Sequence, residues 1–318
     1  MMPSPAMTAR AAHLATPAPV RIYTRAIDRL SESIAAYLFV LPGTALLAIL
    51  SILPVVAIFV IATTNWQFGG AGLSFVGLRN FREVFAEPSF RMSLVNTTVY
   101  VLIVVPGTIS LGFLIALLIE ARPGLRGFYR AIHFLPFMAT LAATAVAWEM
   151  LLHPTMGLVN QTFSALGLPT ANWLRDEKTV LPVLALIGIW QNLGFAMVLF
   201  LAGLRAIPND LYQAADVDGA DGWFDRLITV TMPMLGPVSM FVVIVVAIRA
   251  FEVFDTVSIL TQGGPGRASE VLLYTLYRES FEYLRTGYGA AVTVVFLGII
   301  VALTLAQVGV MEKRVHYS

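Results

Sequence analysis

Charged residues cut this chain into long apolar stretches, and those stretches set its pattern. Ile34 to Ala62 carries no charge. Neither do Met92–Ile119, Ala131–Trp148, Thr179–Leu204, Leu227–Ile248 and Thr286–Met311. Crossing a bilayer takes about 20 mostly apolar residues. The pattern therefore predicts six spans, near 34–62, 92–119, 131–152, 179–204, 227–254 and 286–311. The third continues past Glu149, and the fifth takes in Arg249 and Glu252. In lipid only helices and closed barrels satisfy their own backbone. Barrel strands are short and alternate, whereas these runs are long and apolar on every side. The expected fold class is an all-α membrane protein with six transmembrane helices.

An even number of spans places both termini on one side. With the N-terminus inside, the interior segments hold eleven Lys and Arg residues and the exterior loops eight. The positive-inside tendency, the cluster Arg122, Arg126 and Arg130, and the terminal Lys313 and Arg314 favour N-in, C-in. Residues 1–33 then form a cytoplasmic tail, 34–311 the six-helix membrane domain and 312–318 a second tail. Residues 1–20 are rich in Ala and Pro and read as disordered. Over 21–34, Tyr23, Ile27, Leu30 and Ile34 share one helical face. That segment reads either as an amphipathic helix at the inner surface or as a plain flank. The run behind it is too long for a signal-peptide core of about 7–15 residues.

Composition narrows the class. Hydrophobic residues make up 58% of the 318 and charged residues 12%, against about a quarter charged in soluble domains. The net charge of +1 gives no sign of nucleic-acid binding. There is no cysteine, hence no disulfide framework, thiolate zinc site or iron–sulfur cluster. His13, His133, His153 and His316 are not spaced as metal ligands. Neither lysine, Lys178 or Lys313, follows a glycine, so a Walker A loop is excluded. Gly263-Gly264-Pro265-Gly266 lacks the lysine and reads as a flexible exterior loop rather than a phosphate loop. No GxSxG or cysteine nucleophile is present, so the chain is not expected to be an enzyme.

The most informative polar segment is Gln213-Ala214-Ala215-Asp216-Val217-Asp218-Gly219-Ala220, between two apolar runs. Asn209 or Asp210 is the expected N-cap of a short helix, with Leu211, Ala214 and Ala215 near one face. Asp218-Gly219 supplies a turn, since glycine takes positive φ freely. Small alanines beside Leu211 and Tyr212 suit a helix that docks into a groove.

Several local patterns fall in a familiar order. They are Phe75-Val76-Gly77-Leu78-Arg79-Asn80-Phe81, Trp190-Gln191-Asn192-Leu193-Gly194-Phe195, and Ile207-Pro208 followed by Leu211-Tyr212. Phe254-Asp255 with Leu260-Thr261-Gln262-Gly263-Gly264-Pro265-Gly266, and Tyr288-Gly289-Ala290-Ala291, complete the set. Over about 36–311 the chain resembles the permease subunits of bacterial carbohydrate ABC importers, the group that includes the maltose and glycerol-phosphate permeases. The resemblance implies the type I ABC importer transmembrane fold, residence in the bacterial inner membrane and a cytoplasmic coupling loop at 205–231. It makes Leu211, Tyr212, Gln213, Ala214, Ala215, Asp218, Gly219 and Ala220 the ATPase-coupling residues, acting through 213–233. The implied partners are a second, similar permease, a dimer of ATPase subunits that binds ATP and Mg, and an extracytoplasmic solute-binding protein, all in membrane lipid. No cofactor is expected on this chain itself. Two departures stand out. Gln213 occupies the place of the family's usual glutamate, and Trp223 to Pro233 is one residue longer than the family spacing, which a local bulge would absorb.

Ionisable and amide side chains inside spans are costly and tend to be functional. Arg249, Glu252 and Asp255 follow at three-residue intervals near the outer end of the fifth span, Asp255 closest to its boundary. They read either as path-lining groups for a polyhydroxylated substrate or as a structural pair between Arg249 and Glu252. Trp190, Gln191 and Asn192 place an aromatic beside amides, a way to hold a sugar or to pack helices. Glu149 beside Trp148 is a path carboxylate or an interface residue. A secondary transporter would use Glu149 or Glu252 as a proton relay, but no convincing internal repeat supports one. A membrane scaffold would leave the intramembrane charges unexplained.

Overall fold

The computed structural model describes residues 36–312 except 71, 123, 125 and 221, with the side chains of 141 and 310–312 left aside. The expected amphipathic helix at 21–34 and the residues after Glu312 lie outside this range. Among the described residues the fold is helical, apart from one antiparallel bridge between Thr64 and Phe75. Five helices are long and apolar enough to cross a membrane: α1 (Ala36–Ala62), α3 (Pro88–Glu120), α7 (Val180–Ala206), the Gly236–Leu260 segment and α13 (from Thr286). A sixth candidate is a broken pair, α4 (Arg126–Met138) and α5 (Leu141–Leu151), which meet at 102°. Where the sequence pattern predicts one uninterrupted span over 131–152, Pro136 lies inside α4 and Thr140 is extended at ψ 134°. A proline removes a helical donor and crowds the preceding turn.

The chain divides into two compact units, residues 1–57 and 58–318. In the first, every described side chain from Ala36 to Ala57 is exposed. A helix apolar on all sides suits contact with lipid or with another apolar surface. The second unit holds the short helices α2 (Arg79–Ala86), α6 (Leu158–Ala165) and α8 (Asn209–Val217). It also holds α9, which runs from Trp223–Arg226 through a π turn at Leu227–Thr231 into Met232–Met234. The rest of the fifth candidate span is α10 (Gly236–Phe251) and α11 (Asp255–Leu260), followed by α12 (Leu272–Tyr277) with a π turn at Arg278–Glu282, and α13 (Thr286–Glu312).

Two π turns have a shared cause. Ala48–Ile52 is followed two residues later by Pro54, and Leu227–Thr231 by Pro233. A proline cannot donate to the carbonyl four residues back, and a wider i→i+5 turn beside it absorbs the mismatch. The second π turn lies inside the Trp223–Pro233 segment. A π turn holds one residue more than an α turn, which is the kind of local bulge expected in that segment.

The α3–α7 pair is the backbone of the second unit. Gly112 sits directly against Ala196, and Phe113 meets Phe200 edge-on at 5.4 Å. Small residues let membrane helices approach closely where no hydrophobic drive separates them from lipid. Loops are tied down by buried amides and hydroxyls. Asn80 donates to the carbonyls of Ala62 and Thr64, both at 2.8 Å. Asn96 donates to those of Arg267 and Glu270, and the Leu272 amide donates to Thr97 Oγ1. Thr97 is fully buried, so this bond fixes α3 against the start of α12.

Candidate functional site

Five helices converge on a cavity of about 260 Å³. Tyr100 comes from α3, Gln191 and Asn192 from α7, and Arg249, Glu252, Asp255 and Thr256 from α10, α11 and the link between them. Phe137 of α4 closes one side. Five of the sequence-level path candidates therefore meet in one place. Trp190 and Glu149 do not line it. Trp190 packs edge-on against Trp148 at 5.4 Å, and Glu149 is exposed on α5.

The charges here are unusual. Among the described residues none of Arg249, Glu252 and Asp255 has an ion-pair partner, so the Arg249–Glu252 pair allowed by spacing is not formed. The Arg249 guanidinium lies 4.6 Å from the Phe137 ring centre and 5.4 Å from that of Phe195, which are themselves stacked at 5.2 Å. A guanidinium face against aromatic rings gains cation–π attraction and leaves its N–H edge free. Asn192 donates to the Gly188 carbonyl at 2.9 Å, so its amide oxygen remains available. Thr256 is 4% exposed, and its Oγ1 has no partner among the described residues. Buried polar atoms are normally bonded. Thr256 Oγ1 lies buried behind the cavity surface, and the polar groups presented to the cavity are those of Gln191, Asn192, Arg249, Glu252 and Asp255.

Gly188 explains how Tyr100 reaches this wall. A Cβ on Gly188 would collide with the Tyr100 hydroxyl. Tyr100 is 3% exposed, so it has nowhere to retreat. Sequence reasoning missed Tyr100, Phe137 and Thr256. Each is an ordinary residue in an apolar span, and only the helix crossing brings it to the cavity.

The second feature is α8, at the opposite end of α7 from Thr179. Its N-cap is Pro208, extended at ψ 136°, with no side-chain cap bond. The predicted caps Asn209 and Asp210 are instead inside the first turn, because Pro208 pre-sets the entry angle and Asn209 already has helical geometry. The C-terminus closes as a Schellman motif. Gly219 takes φ +89°, and the Ala220 amide donates to the Ala215 carbonyl at 2.9 Å.

The two faces of α8 have different jobs. Tyr212 and Ala215 turn inward, with Tyr212 Oη 3.1 Å from Thr231 Oγ1 and Ala215 9% exposed. Ala215 thus leaves the face shared with Leu211 and Ala214. Asp216 pairs with Arg226 at 2.7 Å, so the inner face is clamped to α9. Leu211, Gln213, Ala214, Asp218 and Gly219 are exposed. So are Val217 at 89%, Trp223 at 68% and Phe224 at 61%. These three apolar residues were missed; Val217 lies about one turn beyond Gln213, flanked by two aspartates that disguise it. Leu211, Ala214 and Pro233 line a groove of about 380 Å³ between α8 and α9. Among the described residues no group of His, Cys, Asp and Glu could hold a metal ion.

Comparison with known proteins fits this geometry. Residues 88–317 match the model of the family described as "binding-protein-dependent transport system inner membrane component". The trehalose/maltose transport system permease protein MalF of Thermococcus litoralis is 33% identical over 285 residues, 89% of this chain and 95% of that one. The sn-glycerol-3-phosphate transport system permease protein UgpA of Agrobacterium fabrum is 32% identical over 287 residues, 90% of this chain and 97% of that one. A chain of a bacterial alginate ABC transporter, solved with an alginate-bound periplasmic protein, has the same fold. Its TM-score is 0.77 at 21% identity, covering 88% of this chain and 94% of that one. The chain is a membrane-spanning permease and belongs to the binding-protein-dependent transport system inner membrane component family.

Proposed function

We propose that this chain is one permease subunit of an ATP-driven importer that carries a carbohydrate or related polyol across the bacterial inner membrane. It pairs with a second, similar permease and rests on two ATPase subunits, which bind the ATP and Mg. A solute-binding protein delivers substrate from outside. Both termini and α8 face the cytoplasm, while α2 and α12 face outward. The single observation that carries this reading is the pairing of an exposed, rigidly clamped α8 with a partnerless polar cavity in the same bundle. A helix held on one face and exposing Leu211, Ala214 and Val217 on the other suits insertion into a groove of a partner. A cavity of about 260 Å³ falls just below the ~300–1,000 Å³ of ordinary ligand pockets, as half of a site shared with a second permease would.

Transport then works by alternating access. ATP drives the two ATPase subunits together and draws the α8 helices with them, and the rigid clamp through Arg226 and Thr231 passes the motion into α9 and α10. ATP and the loaded receptor must each favour one state of the permease. The test is affinity purification from native membrane, with identification of stoichiometric partners. An ATPase and a second permease are expected with the wild type. Gly219→Pro should lose the ATPase, since proline cannot take positive φ. Purification of the chain alone, or as a homo-oligomer, overturns the reading.

A further inference from the structure

We infer that the cavity formed by Gln191, Asn192, Arg249, Glu252, Asp255 and Thr256 selects for uncharged polyhydroxylated substrates and against phosphate esters and uronates. This rests on the importer reading and narrows it. Other members of the fold bear names that point to anionic cargo, glycerol 3-phosphate in one relative and alginate in the solved transporter. The cavity of this chain is built differently from a site for such cargo.

Its ionisable groups are one arginine and two carboxylates, a formal charge of +1 − 2 = −1. The arginine is not cancelled by either carboxylate, but its guanidinium face is engaged by Phe137 and Phe195. An anion entering would meet one N–H edge and two like charges in a space walled by apolar helices. Arg249 and Glu252 are exposed to the cavity and Asp255 is half-buried, so the two carboxylates present their charge directly to an entering group and repel an anion.

Hydrogen-bond capacity points the same way. Ionised carboxylates only accept. The anionic group of a phosphate ester or uronate has no donor to offer, so wherever it faces Glu252 or Asp255 it adds repulsion without a hydrogen bond. A polyol brings hydroxyls that donate to both carboxylates. The same hydroxyls accept from the Gln191 amide and the Arg249 edge. Gln191 makes no side-chain bond among the described residues, and Asn192 keeps its amide oxygen free.

The experiment uses the assembled importer with its own receptor, reconstituted in proteoliposomes. Uptake is measured for maltose, trehalose, sorbitol, sn-glycerol 3-phosphate and glucuronate. The wild type should carry a neutral probe and take the anions at about a tenth of that rate or less, a difference of about 1.4 kcal/mol or more. Glu252→Gln with Asp255→Asn should narrow that ratio by about tenfold. Glu252→Asp keeps the charge and should keep the discrimination, which a merely structural role for Glu252 would not predict. The inference is overturned if an anionic probe is carried as fast as the best neutral one. It is also overturned if the double variant discriminates as the wild type does. Those outcomes leave the importer reading standing, because that reading depends on the co-purified ATPase and on the need for ATP.

Discussion

Two clusters of charge in this molecule obey opposite rules. At the end of the bundle formed by α2 and α12, every carboxylate and guanidinium of the cluster has a partner. Glu270, 3% exposed, faces Arg278 at 3.4 Å and Arg267 at 3.6 Å and accepts from Thr275 Oγ1 at 3.1 Å. Arg285 bridges Glu279 at 3.1 Å and Glu83, and its guanidinium lies 4.1 Å from the Tyr288 ring centre. In the cavity between α3, α7 and α10, Arg249, Glu252 and Asp255 have no ion-pair partner among the described residues. The first cluster ties α2, α12 and α13 together and is architecture. The second leaves its capacity unspent, which proteins tolerate where a ligand completes the set.

The sharpest way to break the comparison is to remove a partner from the paired cluster. Glu270→Ala strips Arg278 and Arg267 of their shared carboxylate. Breaking a buried pair from one side costs about 3 kcal/mol, so the melting temperature of the purified protein should fall clearly. If Glu270→Ala melts like the wild type, the paired cluster is not architectural and the contrast fails.

Gly188→Ala tests the cavity wall by geometry alone. The new methyl collides with the Tyr100 hydroxyl, and overpacking of this kind costs about 2 kcal/mol. Adding Tyr100→Phe removes the colliding oxygen and should restore most of the loss. Equal melting of the single and double variants would show that the hydroxyl is not wedged there.

Arg249→Lys keeps the charge but loses the planar face that lies on Phe137 and Phe195. Uptake of the neutral probe should drop about tenfold, or ~1.4 kcal/mol, with melting unchanged. A melting loss as large as that of Glu270→Ala would move Arg249 into the architectural class.

How much of this was visible in the sequence differs by feature. The all-helical membrane class came from charge-free runs, because length and hydropathy suffice for it. Arg249, Glu252 and Asp255 stood out because charge inside a span is rare. Whether they pair was not legible, since three-residue spacing permits a bond that stacking on Phe137 displaces. Pro54 and Pro233 were plain in the sequence, but the π turns ahead of them come from a local competition over backbone donors. Val217, Trp223 and Phe224 were hidden because exposure is a property of the packed chain. Tyr100 and Thr256 depend on helix crossings, which one-dimensional periodicity does not carry.

The smallest expected effect lies within the paired cluster and concerns the acidity of one carboxyl. Glu279 belongs to the paired group, yet burial pushes its carboxyl above the ordinary 4.5, and Glu87 and Glu270 push the same way against the pull of Arg285 and Arg278. The folded state therefore holds this proton more tightly than the unfolded chain does. A carboxyl raised in this way contributes stability that is fully present below 4.5 and is lost as pH rises through the folded value. Glu279→Gln keeps an acceptor for Arg285 while removing the charge. The melting temperature of this variant relative to wild type should accordingly rise as pH is brought from 4.5 toward neutrality. A flat difference across that range would mean that Arg285 and Arg278 fully offset the cost of burial. Glu279 would then be as well compensated as its neighbours, and the paired cluster would be uniform where the structure makes it graded.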